Sequence, residues 1–304
     1  MRSRLADFKT SPDVIWVNSG EYFGSRILKW LRLEYRCKIV LYQNDDPTGF
    51  RDGNRFISLL NALPFYDLCV FVRAETTLEA LSLGAKQVLR VFPSYDEICH
   101  NFDVNNLSQS HEAKLVVSFV GTLIPNEKRD KFLVNLIQAG LPLTLVGNKW
   151  SRSSLWPKLK RIYEGSALTG NDYSIALRNA AISLGFLSHG NRDLVTRRSF
   201  ETPACGGLLC AERTSEHQLL YEDGREAVFW DSEDECILQC KKLLNDKLER
   251  DRICNIGNEH VRSMGAGNED ICLHILSVLL DQNLHNYDAS NCLNTPNPVS
   301  HADI

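Results

Sequence analysis

Apolar positions along this chain fall in short runs separated by longer amphipathic stretches, and the alternation starts twice. In the first round Val14–Val17 predicts a strand ending in Asn18-Ser19-Gly20, followed by a helical spacing of Tyr22, Ile27, Leu28, Leu31 and Leu33. Lys38–Tyr42 predicts a strand running into Gln43-Asn44-Asp45-Asp46-Pro47. Residues 51–63 predict a helix, 66–72 a strand, 76–83 a helix closed by Gly84, and 87–91 a strand. The second round opens with a strand over 115–120 ending at Gly121-Thr122, a helix over 128–139 closed by Gly140, and a strand over 142–146 ending at Gly147-Asn148. A helix through 175–179, a strand at 181–186, a helix over 196–205, a strand at 208–211, a helix at 216–221 and a strand at 227–230 follow. Helices then run from Ser232 to Gln282. Strands alternating with helices in this way predict an α/β chain of parallel sheets covered on both faces.

The segment from Phe92 to Glu112 is polar and irregular, with Asn101, Asn105, Asn106, Ser108 and Ser110, and reads as a linker. We therefore expect an N-terminal domain over 1–105, a C-terminal domain over 106–282 and a flexible tail over 283–304, where Asn, Ser, Pro and His dominate. A chain of 304 residues is a natural length for two domains.

Charge narrows the function classes. Lys+Arg number 34 against 38 Asp+Glu, a net of −4, which argues against a nucleic-acid or membrane-surface binder. Neither a signal-peptide core nor an apolar run long enough to span a membrane is present. The ten cysteines form no C-x-x-C pair. Several sit beside Val, Leu or Ile, as reduced, buried thiols of a cytoplasmic protein do. Cys236 and Cys240 share a helical face at i,i+4, yet no metal site is expected.

In open parallel sheets ligands bind beyond the carboxyl ends of the strands. That directs attention to Gly121-Thr122, Gly147-Asn148, Ser188-His189-Gly190-Asn191 and Gly206-Gly207, and in the first half to Asn18-Ser19-Gly20 and Asn44-Asp45-Asp46-Pro47. A glycine directly after an apolar strand lets the backbone approach a phosphate. Neither a G-x-G-x-x-G nor a G-x-x-x-x-G-K-[ST] motif occurs. Glu201 opens a helix that stops at Gly206-Gly207, and a carboxylate there stays ionised and suits a vicinal diol. Arg192, Arg197 and Arg198, with Lys128 and Arg129 as further candidates, are cations able to meet a charged leaving group. Asp45 and Asp46 are candidates for an acceptor-side base, or equally for an N-cap and turn before Pro47. His189 is a loop histidine placed to touch a donor sugar or phosphate, or simply solvent.

The run Arg197-Arg198-Ser199-Phe200-Glu201-Thr202-Pro203-Ala204-Cys205-Gly206-Gly207, with Asp193 eight residues before Glu201, resembles the nucleotide-sugar half of group 1 GT-B glycosyltransferases of the CgeB (spore maturation) type. The Asp45-Asp46-Pro47 segment is similar as well. The resemblance implies two Rossmann-like domains facing a cleft, the N-terminal one shortened. It also implies a glycosyltransferase of hexosyltransferase kind that uses a nucleotide-diphosphate sugar as donor and no cofactor, retaining and metal-independent, in polysaccharide or glycoconjugate synthesis. Glu201 would bind the ribose hydroxyls. Asp193 occupies the position near the donor sugar, where the family has a glutamate. Gly121, Thr122, Gly147, Asn148, Arg192, Arg197, Arg198, Gly206 and Gly207 would line the donor site, and Asp193, Asp45, Asp46 and His189 would be catalytic. The acceptor (glycan, protein or small molecule) is not identified by these residues. A homo-oligomer or a partner subunit would complete the shortened region. The competing readings are a non-catalytic nucleotide-sugar or glycan-binding subunit and a GT-B-like sugar-nucleotide epimerase.

Overall fold

The computed structural model describes residues 11–101, 114–280 and 299–300. The chain forms two compact units. Among the described residues, one runs to Phe92 and takes in Gly190–Arg192 and those from Ile271 on; the other holds those of 93–189 and 193–270. Residues 102–112 of the expected linker lie outside the described residues.

In the first unit, β1 (Val14–Asn18), α1 (Ser25–Tyr35), β2 (Lys38–Gln43), α2 (Ile57–Leu60), β3 (Leu68–Phe71), α3 (Ala74–Ser82) and β4 (Gln87–Arg90) follow in order. The four strands pair in parallel as β1-β2-β3-β4. The period-2 rule sorts their side chains. Ile39, Leu41, Cys69 and Phe71 pack with Leu28, Leu31, Phe56 and Leu59 on one face. Val40, Leu68 and Val70 go to the other, where Ile271, Ile275 and Leu279 cover them. Those three are spaced i, i+4, i+8 on the helix Asn268–Leu280, so one apolar stripe closes the sheet. This helix is why the unit takes back residues 271–280, where a division near residue 105 was expected. Val299–Ser300 adds an antiparallel strand to β4, and the rest of the expected tail lies outside the described residues.

The helix expected over residues 51–63 is broken into a 3-10 turn (Gly53–Phe56), α2 and a second 3-10 turn (Leu63–Phe65). Gly53 takes φ +52°, outside the helical region, so no helix runs through residues 51–53, and Pro64, without an N–H, sits in the second 3-10 turn rather than extending α2.

The second unit contains β5 (Lys114–Val120), α4 (Arg129–Gln138), β6 (Leu143–Val146), α5 (Trp156–Leu159), β7 (Tyr163–Gly165), α6 (Gly170–Arg178), β8 (Ala180–Gly185), α7 (Arg198–Ala204), β9 (Leu209–Glu212), α8 (Ser215–Leu220), β10 (Val228–Trp230), α9 (Glu233–Asn245) and α10 (Lys247–Ser263). Its strands are all parallel in the order β10-β9-β8-β5-β6-β7. This is the doubly wound order, with a reversal between β5 and β8, the place where such sheets open a crevice for ligands. The short polar edge strand β7 carried no readable pattern in the sequence. Phe119, Phe132, Phe186 and Trp230 form the aromatic heart of one face.

Candidate functional site

The loops after β5 and β8 meet at this reversal. Gly121 follows β5, and its N–H donates to the Val146 carbonyl at 2.8 Å. A Cβ on Gly121 would lie 2.6 Å from the Phe119 ring and 3.1 Å from Arg198 Nη2, so only glycine fits. Gly147 is more constrained. It takes φ +141°, and a Cβ there would lie 2.0 Å from the Gly121 carbonyl oxygen. Parallel pairing of β5 with β6 thus presses Gly121-Thr122 against Gly147-Asn148. Trp150 Nε1 donates to the Gly121 carbonyl at 2.8 Å, and Leu123 N to the Asn148 carbonyl at 3.0 Å.

Arg129 is buried and braces the reversal. It donates to the Thr122 carbonyl at 3.1 Å and to the Leu187 carbonyl at 2.6 Å. Burial, reinforced by the nearby Arg198 charge, lowers its pKa to about 10. Arg198 also lies near the Phe119 ring, at 5.3 Å from its centroid against 5.8 Å for Arg129. The Nε atoms of both arginines have no protein partner. Two guanidiniums with spare donors beside a glycine loop form a positive site suited to a phosphate oxygen.

Glu201 stands in the first turn of α7 and is only 6% exposed. Tyr173 of α6 donates its hydroxyl to Glu201 Oε2 at 2.6 Å, and Arg197 lies 3.4 Å from Oε1. Burial is the largest cause raising the Tyr173 pKa, and the Glu201 charge and hydrogen bond add to it, so its proton stays on as donor. His100 packs edge-on to Tyr173 at 6.0 Å. Its Nδ1 accepts from the Asp96 N–H at 2.9 Å, and burial holds its pKa down, leaving a neutral ring.

Helix α7 needs outside help to hold Glu201 in place. Pro203 cannot donate to the Ser199 carbonyl one turn back. The Tyr221 hydroxyl donates to that oxygen instead, at 2.7 Å. Asn258 donates to the Pro203 and Ala204 carbonyls and Arg262 to Ala204, which satisfies the helix end. Gly206 takes φ +76° at the stop. A Cβ on Gly207 would lie 2.5 Å from the Leu177 carbonyl. These two glycines therefore serve helix termination and close packing on α6. Ser199 also bonds His217 Nε2 at 2.8 Å, with Nδ1 on the Glu212 carbonyl. Burial lowers the His217 pKa to about 4, and both side chains are sealed from solvent, so the pair locks α7 to α8.

His189 bonds two carboxylates, Glu127 through Nδ1 and Glu212 through Nε2, each at 2.8 Å. Because both acceptors are carboxylates, these contacts favour the imidazolium form, in which both ring nitrogens donate. Burial alone would lower its pKa, but the bonds and charges of Glu127 and Glu212 outweigh that and raise it. Asp193 follows, its N–H on the Ser188 carbonyl at 3.3 Å.

The remaining expected residues lie in the first unit. Asp46 is 2% exposed and its carboxylate is saturated. It accepts from Arg192 Nε and Nη2, each at 2.7 Å, from Thr76 at 2.9 Å, from the Gly49 N–H at 3.1 Å and from Thr48 at 3.2 Å. Burial would raise its pKa, but the Arg192 and Thr76 bonds win and lower it. Arg192 completes its fork on Glu79 at 2.8 Å, from a left-handed backbone at φ +54°. The two residues offered as base and donor-site cation thus neutralise each other. Asp45 is half-exposed beside Arg55 at 3.5 Å.

Sequence reasoning overlooked Tyr173, His100, Glu127 and Glu212. Tyr173 lies 28 residues from Glu201, and Glu127 and Glu212 lie 62 and 23 residues from His189, so no local spacing signals these contacts.

Residues 128–264, which hold most of this site, match the protein-family model described as Glycosyl transferase-like. No curated protein matches the chain significantly. Solved structures do. HepE of Anabaena, in complex with UDP-glucose, is 14% identical with a TM-score of 0.64, over 89% of this chain and 79% of that one. Sucrose-phosphate synthase of Thermosynechococcus elongatus is 14% identical with a TM-score of 0.64, over 92% and 75%. TarM of S. aureus, in a complex that includes UDP, is 9% identical with a TM-score of 0.60, over 84% and 54%.

The fold is GT-B. Each of the chain's two units carries a parallel β-sheet, as that fold class requires. The matched span starts one residue before α4 and ends just past α10, so apart from Gly190–Arg192 it falls within the unit that carries Glu201.

Proposed function

We propose that this chain is a group 1 glycosyltransferase of the CgeB type that binds a nucleotide-diphosphate sugar on its second unit. The observation that carries the reading is the buried Glu201 carboxylate at the start of α7, beside Arg198 and the Gly121 loop at the sheet reversal. Glu201 takes the ribose diol, with the Tyr173 hydroxyl holding its other oxygen. The diphosphate lies along Gly121-Thr122, where Arg198 stabilises the charge that develops on the leaving group. Cationic side chains in that role support a metal-independent reaction. Asp193 and His189, from the loop after β8, face the sugar. The similar proteins solved with UDP or UDP-glucose support a uridine nucleotide as first choice of donor.

A retaining transfer fits the saturation of Asp46, because no strong carboxylate base is left at that position. In a front-face displacement the bond from sugar to phosphate breaks as the acceptor oxygen bonds to the same carbon, and the acceptor proton passes to the departing phosphate. The acceptor would be a hydroxyl of a glycan or glycoconjugate. A cytoplasmic location agrees with sugar-nucleotide use.

The test is binding and turnover of a panel of UDP-, GDP-, TDP- and ADP-sugars by the wild type and Glu201→Ala. Binding that depends on Glu201, with slow release of nucleoside diphosphate, is the expected result. Glu201-dependent binding without turnover would favour a non-catalytic binding subunit, and absence of binding by every donor would overturn the reading.

A further inference from the structure

Three cysteines that the donor site does not use converge in the core of the second unit. Cys236 and Cys240 lie one turn apart on the buried face of α9, and Cys210 projects from β9 beneath them. Their Sγ atoms all lie within 4.8 Å of one another, and each side chain is 0% exposed. No other cysteine in the chain meets two more in this way among the described residues. Packing alone requires small apolar side chains here, which Ala or Val would supply equally well. It does not require three sulfurs aimed at one point.

Two features of the cluster select its ligand. The donors are three sulfurs, with no His, Asp or Glu atom in the group among the described residues, so the site suits a soft, thiophilic centre satisfied by three ligands. The surroundings are apolar: Leu184, Val228, Trp230, Leu243 and Ile253 belong to the same core cluster. A net charge buried there is costly. Three thiolates around a monovalent ion leave two negative charges, and around a divalent ion one. Around a trivalent centre they leave none.

We propose that Cys210, Cys236 and Cys240 form a three-thiol site for trivalent arsenic or its chemical analogue antimony. The reaction is a ligand exchange without redox change. The trihydroxide, As(OH)3, loses its three As–O bonds and gains three As–S bonds. The three thiol protons leave with the hydroxides as three waters. A three-coordinate product with a lone pair needs no fourth protein ligand, in keeping with the number of sulfurs present. This site is independent of the glycosyl-transfer reading, since it rests on none of the donor-site residues.

The experiment is to add arsenite to the native, reduced protein and, separately, during refolding from urea, so that slow entry into the core is not mistaken for lack of a site. After desalting, arsenic is measured per chain, and thermal unfolding is followed with and without arsenite. The expected result is one arsenic retained per chain and an upward shift of Tm. Cys210→Val, Cys236→Ala and Cys240→Ala, each verified as folded by circular dichroism, should lose both retention and shift, while Cys254→Ala, outside the trio, should keep them. Absence of retention after refolding would overturn the proposal, as would retention unchanged in the three variants or dependent on Cys254. Tighter retention of cadmium than of arsenite would overturn the charge argument that selects the trivalent ion.

Discussion

Asp46 and Glu201 begin as similar signals, each an acid at or before a helical turn in a region where ligands are expected, and end differently. Asp46 collects two bonds from Arg192 and further bonds from Thr76, Thr48 and Gly49. Glu201 receives a single short bond, from Tyr173, and a longer approach from Arg197. The saturated carboxylate is a structural anchor with depressed basicity. The other keeps lone pairs for a ligand while remaining buried. What distinguishes them is not the acid or its local turn but the number of donors brought to it, and the decisive donor to Asp46 lies 146 residues away.

The largest effect that would sharpen this contrast is on stability. Arg192→Ala should leave Asp46 buried without its cation and destabilise the protein by about 3 kcal/mol in urea unfolding. Because the folded pKa of Asp46 lies below the ordinary 3.8, the ion pair's contribution is present above that pH. It is lost as pH falls through the lower folded value. The gap between wild type and Arg192→Ala should therefore be flat from pH 7 to about 5 and close in stronger acid. A gap that stays constant into strong acid would break the assignment.

Next in size, Glu201→Ala should weaken donor binding by about 2 kcal/mol, roughly 30-fold in Kd, with little loss of unfolding free energy. Equal losses of stability and binding would make Glu201 an anchor like Asp46 and erase the contrast. Tyr173→Phe keeps the ring and removes one hydrogen bond. It should raise the donor KM by about 1 kcal/mol, around fivefold, and leave kcat near wild type. A fall in kcat alone would place the Tyr173 hydroxyl at the reacting atoms instead.

The smallest effect concerns His189, which is well exposed. Its folded pKa lies above 6.5, so its bonds to Glu127 and Glu212 add stability in full below pH 6.5, and that increment is lost as pH rises through the folded value. Solvent screening keeps it to a few tenths of a kcal/mol. NMR titration of the ring is the direct check, and Glu127→Gln should bring its midpoint down. A midpoint unchanged by that substitution would show that Glu127 does not hold the ring.

Much of the architecture was legible because its causes are local. Apolar runs such as Ile39-Val40-Leu41 are buried on both faces of a parallel sheet, and the helix closed by Gly84 is set by its own spacing and stop. The region 51–63 was misread because helical spacing alone ignores Gly53 and Pro64. Strand β7 was overlooked because three polar edge residues carry little pattern. Glu201 stood out from its short helix and glycine stop, but its neighbours Tyr173 and His100 did not, since helix phase across two elements brings them together.

By itself, then, the sequence determined the βα alternation, the glycines that close Gly121 against Gly147, and the acid at the head of α7. Each depends on hydrophobic period, backbone freedom or helix ends within a few residues. Only the tertiary structure decided which acid is neutralised, which arginine stands beside the glycine loop, where the last helix packs, and that three cysteines from β9 and α9 meet. Those outcomes depend on strand order and on which faces are buried together, and both arise from distant apolar surfaces leaving water at once rather than from any local pattern.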